Sequence, residues 1–97
     1  MRVEWSADAL ADLDRFREFL RERHPRIAVA VGREIRKKVG LLSQFPFLGR
    51  SLTSEPQYRE WALATLNTKY IVQYTIEDDV LLIIRIFHGR EQREEEG

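Results

Sequence analysis

The 97-residue chain has the length and composition of one small globular domain. It contains 16 basic and 16 acidic residues, so its formal net charge is zero, and 43% of its residues are hydrophobic. These proportions are typical of a soluble protein, and they lack the strongly basic balance of a general nucleic-acid-binding chain. The absence of cysteine excludes disulfides, thiolate metal ligands and a cysteine nucleophile.

No targeting, membrane or metal-binding pattern is recognisable. The N-terminus lacks a basic segment followed by an apolar stretch, and no apolar run approaches the roughly 18 residues of a membrane span. We therefore predict a cytoplasmic protein with no membrane partner. Two histidines without cysteine do not form a zinc-type ligand cluster, and no glycine-rich phosphate loop occurs, so the sequence predicts neither a metal nor a cofactor.

The chain opens with a short strand followed by an amphipathic helix. Val3 and Trp5 alternate with charged residues, which predicts a strand with one buried face. Ser6 stands where a helix N-cap belongs, and the following apolar residues predict a helix over residues 7–23. The apolar positions recur at three- and four-residue steps: Ala9, Leu10, Leu13, Phe16 and Leu20.

A second helix follows almost immediately. Pro25 suits the first turn of a helix, and a second apolar stripe predicts that this helix continues to about residue 43. The very short link, which contains His24 as a solvated residue, predicts an antiparallel helical hairpin. The segment FPFLG at residues 45–49 then ends the helix, and we expect Phe47 and Leu48 to be packed against the core.

The second half of the sequence predicts three strands. Residues 50–57 form a turn-rich connection, and β-branched and aromatic residues predict strands over 58–66, 69–77 and 80–88, the last two as a hairpin. The near-continuous apolar run in 80–88 predicts a strand buried on both faces. The resulting order, β-α-α-β-β-β, predicts an α+β fold in which the helical hairpin packs on a mainly antiparallel four-stranded sheet.

Basic residues near the ends of these strands are the candidate site. Arg85 interrupts the apolar strand, and a buried arginine requires a partner. That partner is either a structural carboxylate, with Glu60 or Glu34 as candidates, or a bound phosphate or carboxylate group. If the strands lie near one another, these groups converge on one rim or face of the sheet. The candidate set, extended by one residue of the C-terminal segment, is Arg50, Arg59, Arg85, His88, Arg90 and Arg93.

Four segments in order and at matching spacing connect the chain to a known family. They are residues 5–13 (WSADALADL), 45–50 (FPFLGR), 70–74 (YIVQY) and 85–90 (RIFHGR). Together they resemble the RelE/ParE superfamily of bacterial type II toxin–antitoxin toxins, and the resemblance covers nearly the whole chain. It implies two helices against an antiparallel sheet, and one toxin domain over residues 1–93. Residues 94–97 are predicted to be an acidic, solubilising tail.

Two activities divide that superfamily. RelE-like members are ribosome-dependent ribonucleases that cut mRNA, whereas ParE-like members inhibit DNA gyrase. In the nuclease, basic residues on the sheet activate the RNA 2′-hydroxyl and stabilise the phosphate; here Arg59 and Arg90 match two such positions, and His88 substitutes in part. The nuclease often has a basic residue where this chain has Ile71, and a tyrosine in the C-terminal segment, where residues 91–96 contain none. These departures favour the ParE-like activity.

The resemblance therefore implies a toxin that binds DNA gyrase, with Arg90, Arg93 and exposed residues of the first helix as contacts. The alternative is a ribosome-dependent mRNA endoribonuclease with the candidate site Arg59, Arg85, His88 and Arg90. A third possibility is a degenerate toxin-like domain that only binds a partner. All three imply a cognate antitoxin that lies in the groove by the helical hairpin and the sheet.

Overall fold

Two α-helices cover one face of a five-stranded sheet. The computed structural model describes residues 1–65 and 68–90. In chain order the elements are β1 (Arg2–Trp5), α1 (Ala7–Arg23), α2 (Pro25–Val39), a 3₁₀ turn (Gly40–Ser43), β2 (Arg50–Ser51), β3 (Tyr58–Ala64), β4 (Lys69–Glu77) and β5 (Val80–His88). The strand order is β1-β5-β4-β3-β2. Among these described strands β1 and β5 pair in parallel, and the other neighbours are antiparallel.

The α+β class and the helical hairpin on a mainly antiparallel sheet are confirmed, with one strand more than predicted. The additional strand, β2, lies within the segment predicted as a turn-rich connection and has only two residues. Two residues are too few for an alternating pattern, so pairing with β3 alone defines the strand. Helix α2 also ends at Val39 rather than near residue 43, because the chain tightens into the 3₁₀ turn from Gly40 onward.

Local signals in the sequence account for the start of both helices. Ser6 caps α1, since its Oγ accepts a hydrogen bond from the N–H of Ala9 at 3.0 Å. The same hydroxyl donates to the carbonyl of Ile84 at 2.8 Å, so the cap also attaches the helix to β5. Pro25 occupies the first turn of α2, where a missing N–H costs nothing.

A single apolar core lies between the helices and the sheet. The rings of Phe16 on α1 and Tyr70 on β4 meet with their centroids 5.0 Å apart, which joins the two layers. Side chains from both helices, the 3₁₀ turn and strands β3, β4 and β5 complete this core: Ala9, Leu13, Phe16, Leu20, Ala28, Val31, Ile35, Val39, Leu42, Leu63, Tyr70, Val72, Tyr74, Leu81, Ile83 and Ile86.

The prediction that β5 is buried on both faces is wrong. Leu81, Ile83 and Ile86 are fully buried, whereas Leu82 and Ile84 between them are only partly covered. The helices cover only one face of the sheet, so the other face of β5 retains partial exposure. The run looks uniformly apolar in sequence because Leu82 and Ile84, on the partly covered face, are themselves apolar. An irregularity in the pairing of β5 with β4 then shifts the alternation by one residue after Ile83, so that Ile86 is buried.

The expected packing of Phe47 and Leu48 against the core is also wrong. Phe47 is 68% exposed and Leu48 is 48% exposed. The loop that carries them is held by polar bonds from its backbone to Tyr74 and Arg59, so it needs no apolar anchor. Within the residues that the structure describes, neither helix is long and apolar enough to cross a membrane.

Candidate functional site

The carboxylate of Asp12 joins helix α1 to strand β5. Arg85 donates to it twice, from Nε to Oδ2 at 2.8 Å and from Nη2 to Oδ1 at 3.0 Å. The backbone N–H of Ile86 donates to Oδ2 at 2.9 Å, and Arg15 donates to Oδ1 at 3.3 Å. Asp12 is 4% exposed, so these bonds satisfy a carboxylate that is otherwise removed from water. We call this arrangement the Asp12 clamp.

The clamp lies where strand β1 no longer protects the edge of β5. The last β1 residue in the ladder is Trp5, opposite Ile83. Beyond that point two side chains bind backbone groups of β5: Ser6, the N-cap of α1, binds the carbonyl of Ile84, and Asp12 of α1 binds the N–H of Ile86. These two side chains thereby satisfy backbone hydrogen-bonding groups at the edge of β5, where no neighbouring strand pairs with them.

The clamp keeps the carboxyl group of Asp12 ionised. Burial alone would raise the pKa of Asp12, but hydrogen bonds from Arg85 and Ile86 and the positive charge of Arg85 outweigh it, so this pKa lies below its ordinary value of 3.8. Asp12 is therefore a carboxylate at neutral pH. The guanidinium of Arg85, which is 39% exposed, also lies 5.2 Å from the ring centroid of Phe87.

A second polar cluster holds the loop before β2. The hydroxyl of Tyr74 accepts a hydrogen bond from the N–H of Gly49 at 2.9 Å and donates to the carbonyl of Pro46 at 2.7 Å. Arg59 donates to the carbonyl of Gly49 at 2.5 Å, and its guanidinium lies 4.8 Å from the ring centroid of Phe47. Arg59 and Tyr74 thus attach both ends of a short turn to the sheet. We call this arrangement the loop anchor.

The loop anchor depends on the close approach of Gly49 to Glu60 and Tyr74, and on a protonated hydroxyl group of Tyr74. A Cβ on Gly49 would lie 2.8 Å from both the carbonyl oxygen of Glu60 and the hydroxyl of Tyr74, so only glycine fits there. Burial raises the pKa of Tyr74 above its ordinary value of 10.0, against opposing effects of the Gly49 N–H and the Arg59 charge. The phenol therefore keeps the proton that it donates to Pro46.

The strand register separates the arginines of the candidate set. Arg50 lies opposite Glu60, Glu60 opposite Gln73 and Gln73 opposite Arg85, so these four residues form one row across four strands. The backbones at the two ends of such a row are about 14 Å apart, because neighbouring strands are spaced by about 4.8 Å. Arg50 contacts the buried carboxylate of Glu60 at 3.9 Å. Arg59 is adjacent to Glu60 in β3 and therefore lies on the opposite face.

A pocket of about 300 Å³ lies beside the end of β5. His88 packs edge-on against Tyr70, with ring centroids 5.6 Å apart, and its Nδ1 accepts a hydrogen bond from the backbone N–H of Arg90 at 3.1 Å. The pocket has aromatic walls and basic side chains at its rim, and Phe19 is 55% exposed. We call it the His88 pocket, and its lining residues are Arg15, Phe16, Phe19, His88 and Arg90.

The structure therefore brings the candidate residues together in two groups rather than one. Arg85, His88 and Arg90 lie at the end of β5 beside α1, whereas Arg50 and Arg59 lie at the opposite side of the sheet. Arg93 and the predicted acidic tail lie outside the described residues. Arg85 does have a structural carboxylate partner, but it is Asp12 rather than Glu60 or Glu34.

Sequence reasoning missed Asp12, which belongs neither to the apolar positions that predict α1 nor to the candidate set. A signal was present, because position 12 follows Ala9 by three residues and precedes Phe16 by four, which places it on the buried face.

Among residues 1–65 and 68–90, no three histidine, aspartate or glutamate side chains are grouped so that they could hold a metal ion.

Comparison with known proteins identifies the family. The family described as "ParE toxin of type II toxin-antitoxin system, parDE" matches residues 3–93. Toxin RelE1 of Caulobacter vibrioides is 32% identical over 88 residues, which are 91% of this chain and 92% of the relative. The chain therefore belongs to the ParE toxin family, within the RelE/ParE superfamily of type II toxin–antitoxin toxins.

Solved structures show the same fold. A chain of the chromosomal ParDE toxin–antitoxin system of Pseudomonas aeruginosa is 22% identical, with a TM-score of 0.75 over 91% of this chain and 95% of that one. A chain of the intact Escherichia coli RelBE complex is 15% identical, with a TM-score of 0.60 over 93% and 98% of the two chains. HP0894 of Helicobacter pylori is 21% identical, with a TM-score of 0.57 over 94% and 97%.

Proposed function

We propose that this toxin inhibits DNA gyrase by binding it and does not cut RNA. The observation that carries the proposal is that both arginines nearest the middle of the sheet are engaged within the fold. Arg85 forms two hydrogen bonds to the buried Asp12, and Arg59 binds the Gly49 carbonyl in the loop anchor. Each of these side chains already binds a group of the fold, so a phosphate that displaced that group would release a contact between two elements.

These contacts oppose the arrangement of charged groups that RNA cleavage requires. The transition state of RNA cleavage needs cationic groups aimed at the developing phosphate charge and a base near the 2′-hydroxyl. The carboxylate of Asp12 offsets the charge of Arg85, so the field that Arg85 presents to an incoming phosphate is reduced. Arg50 and Arg59 lie on the far side of the sheet from His88 and cannot share one phosphate with it.

The His88 pocket supplies the chemistry of a protein-binding surface. Exposed Phe19 is covered on one side by the guanidinium of Arg23, whose Cζ lies 3.9 Å from the ring centroid. Aromatic and arginine side chains around a concave surface are the residues that dominate the energy of protein interfaces. Arg15 and Arg90 at the rim add positive charge that can pair with acidic groups of the target. We therefore assign the gyrase contact to this pocket.

We also propose a cognate antitoxin as the second protein partner and the cytoplasm as the location. The similar solved chains come from toxin–antitoxin systems, ParDE and RelBE, which supports an antitoxin for this chain as well. Gyrase acts on chromosomal DNA inside the cell, so a gyrase inhibitor has to work in the same compartment.

The test uses one preparation of the toxin in two assays, gyrase supercoiling and cleavage of mRNA on ribosomes. We expect loss of supercoiling and intact mRNA. The charge reversal Arg90→Glu should weaken inhibition at least about tenfold, because it places like charges at the interface. Arg2→Glu is the matched control: it makes the same change in charge at the opposite end of the sheet, on β1. Normal supercoiling at saturating toxin would overturn the proposal.

A ribosome-dependent endoribonuclease is the second candidate. It is supported by the similarity to Toxin RelE1 and by the position of His88 beside Arg90 in an open pocket. It predicts cleavage of mRNA that is lost with His88→Ala or Arg90→Ala, and intact transcripts during growth arrest would exclude it. Expression of the toxin without any effect on growth would instead indicate a degenerate domain that only binds a partner.

A further inference from the structure

We infer that residues 91–97 of this chain dock in the His88 pocket and compete there with the target of the toxin. These residues, which we call the acidic segment, lie outside the described part of the chain. Their sequence, EQREEEG, contains four glutamates and one arginine and therefore has a net charge of −3. The competition rests on the proposed gyrase contact, whereas the docking stands independently of it.

The end of β5 places the start of the acidic segment at the rim of the pocket. The N–H of Gly89 donates to the carbonyl of Lys69 at 2.9 Å, and the N–H of Arg90 donates to Nδ1 of His88 at 3.1 Å. A Cβ on Gly89 would lie 2.9 Å from the same carbonyl oxygen, so glycine permits this close approach. Arg90 lines the pocket, and the next residue in the chain is the first glutamate of the segment.

The acidic segment is long enough to return to the pocket. Its three consecutive glutamates follow Arg90 by four to six residues. An extended chain spans at most about 3.3–3.6 Å per residue, so these carboxylates reach about 13–22 Å from Arg90. Because the tether is short, their effective concentration at the pocket is in the millimolar range, and weak ion pairs are sufficient for docking.

The pocket has the charge that an acidic segment requires. Arg15 and Arg85 share the single carboxylate of Asp12, so these three described side chains have a net charge of +1. Arg90 adds a second positive charge at the rim. Such a local excess of positive charge attracts carboxylates, and the attraction is strongest at low salt.

The acidic residues of α1 on either side of Phe19 do not cancel this charge. Glu18 is paired with Arg21 at 2.9 Å. Glu22 is paired with Arg23 at 3.6 Å, and the guanidinium of Arg23 also covers the ring of Phe19 at 3.9 Å. These pairs leave the positive charge at the rim of the pocket to an acidic group from elsewhere.

Docking of the acidic segment opposes binding of the target. The proposed function assigns the gyrase contact to the same arginines, Arg15 and Arg90. Acidic groups of gyrase therefore have to displace the segment. A site that is free for only a fraction of the time binds with an affinity reduced by that fraction, so the acidic segment acts as an internal competitor.

The first experiment measures docking without gyrase. Because the chain contains no cysteine, Gly97→Cys gives a single site for a nitroxide label, which broadens the NMR signals of nearby amides. We expect broadening at Arg15 and Phe19 that falls at least about threefold when three carboxylates of the segment are replaced by amides, and equally in about 0.5 M NaCl. This segment variant is Glu94→Gln/Glu95→Gln/Glu96→Gln.

Two controls locate the effect. The first removes three carboxylates at the opposite end of β5 and should leave the broadening unchanged within about 1.5-fold; it is Glu4→Gln/Glu77→Gln/Asp78→Asn. The second compares neighbouring arginines of α1, which point about 200° apart. Arg15→Gln should reduce the broadening at Phe19 as the segment variant does, and Arg17→Gln should not. If Arg15→Gln does not fold, Arg90→Gln replaces it.

The second experiment measures competition in the gyrase supercoiling assay at low salt. The segment variant should inhibit at a concentration at least about threefold lower than the wild type, and the carboxylate control within about twofold of it. Equal broadening in the wild type and the segment variant, or a loss with Arg17→Gln but not with Arg15→Gln, would overturn the docking. Unchanged or weaker inhibition by the segment variant would overturn the competition. Broadening that depends on the glutamates, without gyrase inhibition by any variant, would support the docking and overturn the proposed function instead.

Discussion

Replacement of Asp12 by alanine tests the most connected polar contact in the molecule. The substitution leaves the N–H of Ile86 buried without its acceptor, which costs about 1–3 kcal/mol. It also removes the pair with Arg85; because that side chain is 39% exposed and can turn to water, we discount this contribution to about 1 kcal/mol. We therefore expect Asp12→Ala to lower the free energy of unfolding by about 3 kcal/mol, a large share of the typical 5–15 kcal/mol.

The effect should depend on pH in a defined direction. The pKa of Asp12 is lower in the folded protein than its ordinary value of 3.8. A depressed pKa contributes stability that is present above 3.8 and is lost as the pH falls through the folded value. The difference between wild type and Asp12→Ala should therefore be largest near pH 7 and should shrink below about pH 3.8.

Urea unfolding at pH 7 and pH 3, followed by circular dichroism, measures both effects. Asp14→Ala is the matched control, because Asp14 lies on the same helix but is 76% exposed in a surface pair with Arg17. We expect it to change stability by no more than about 0.5 kcal/mol. A cost below about 1 kcal/mol for Asp12→Ala at pH 7, or a cost that is unchanged at pH 3, would refute the reasoning.

Four further substitutions test the loop anchor and the core, each by urea unfolding. Tyr74→Phe removes the hydroxyl that accepts from the N–H of Gly49 and donates to the carbonyl of Pro46, and should lower the free energy of unfolding by about 1–3 kcal/mol. A change below about 0.5 kcal/mol would show that the hydroxyl does not hold the loop. Gly49→Ala forces a Cβ to within 2.8 Å of two oxygen atoms and should cost about 1–3 kcal/mol, whereas a neutral result would mean that the loop relaxes freely. Leu81→Ala, at a fully buried position, should cost about 2–5 kcal/mol, and Phe47→Ser, at a 68% exposed one, no more than about 0.5 kcal/mol; the reverse order would contradict the assignment of the core.

The sequence alone was sufficient to predict those helices and strands whose periodic apolar residues show which face is buried. The apolar steps of α1 and the cap at Ser6 predicted a helix over residues 7–23, and α1 has these bounds. The same reasoning predicted β4 and β5 closely, because strand residues and a polar turn leave a local pattern. It could not detect β2, whose two residues are defined only by their pairing with β3.

Contacts between residues far apart in the chain were decided only by the tertiary structure. Arg85 and Asp12 are 73 positions apart, and their pairing depends on α1 crossing the edge of β5 where β1 ends. Likewise, the exposure of Phe47 follows from the bonds of Tyr74 and Arg59 to the loop backbone, which no local pattern encodes. Periodicity determines which face of an element is buried, but the partner of a buried charge is set by the packing of whole elements against one another.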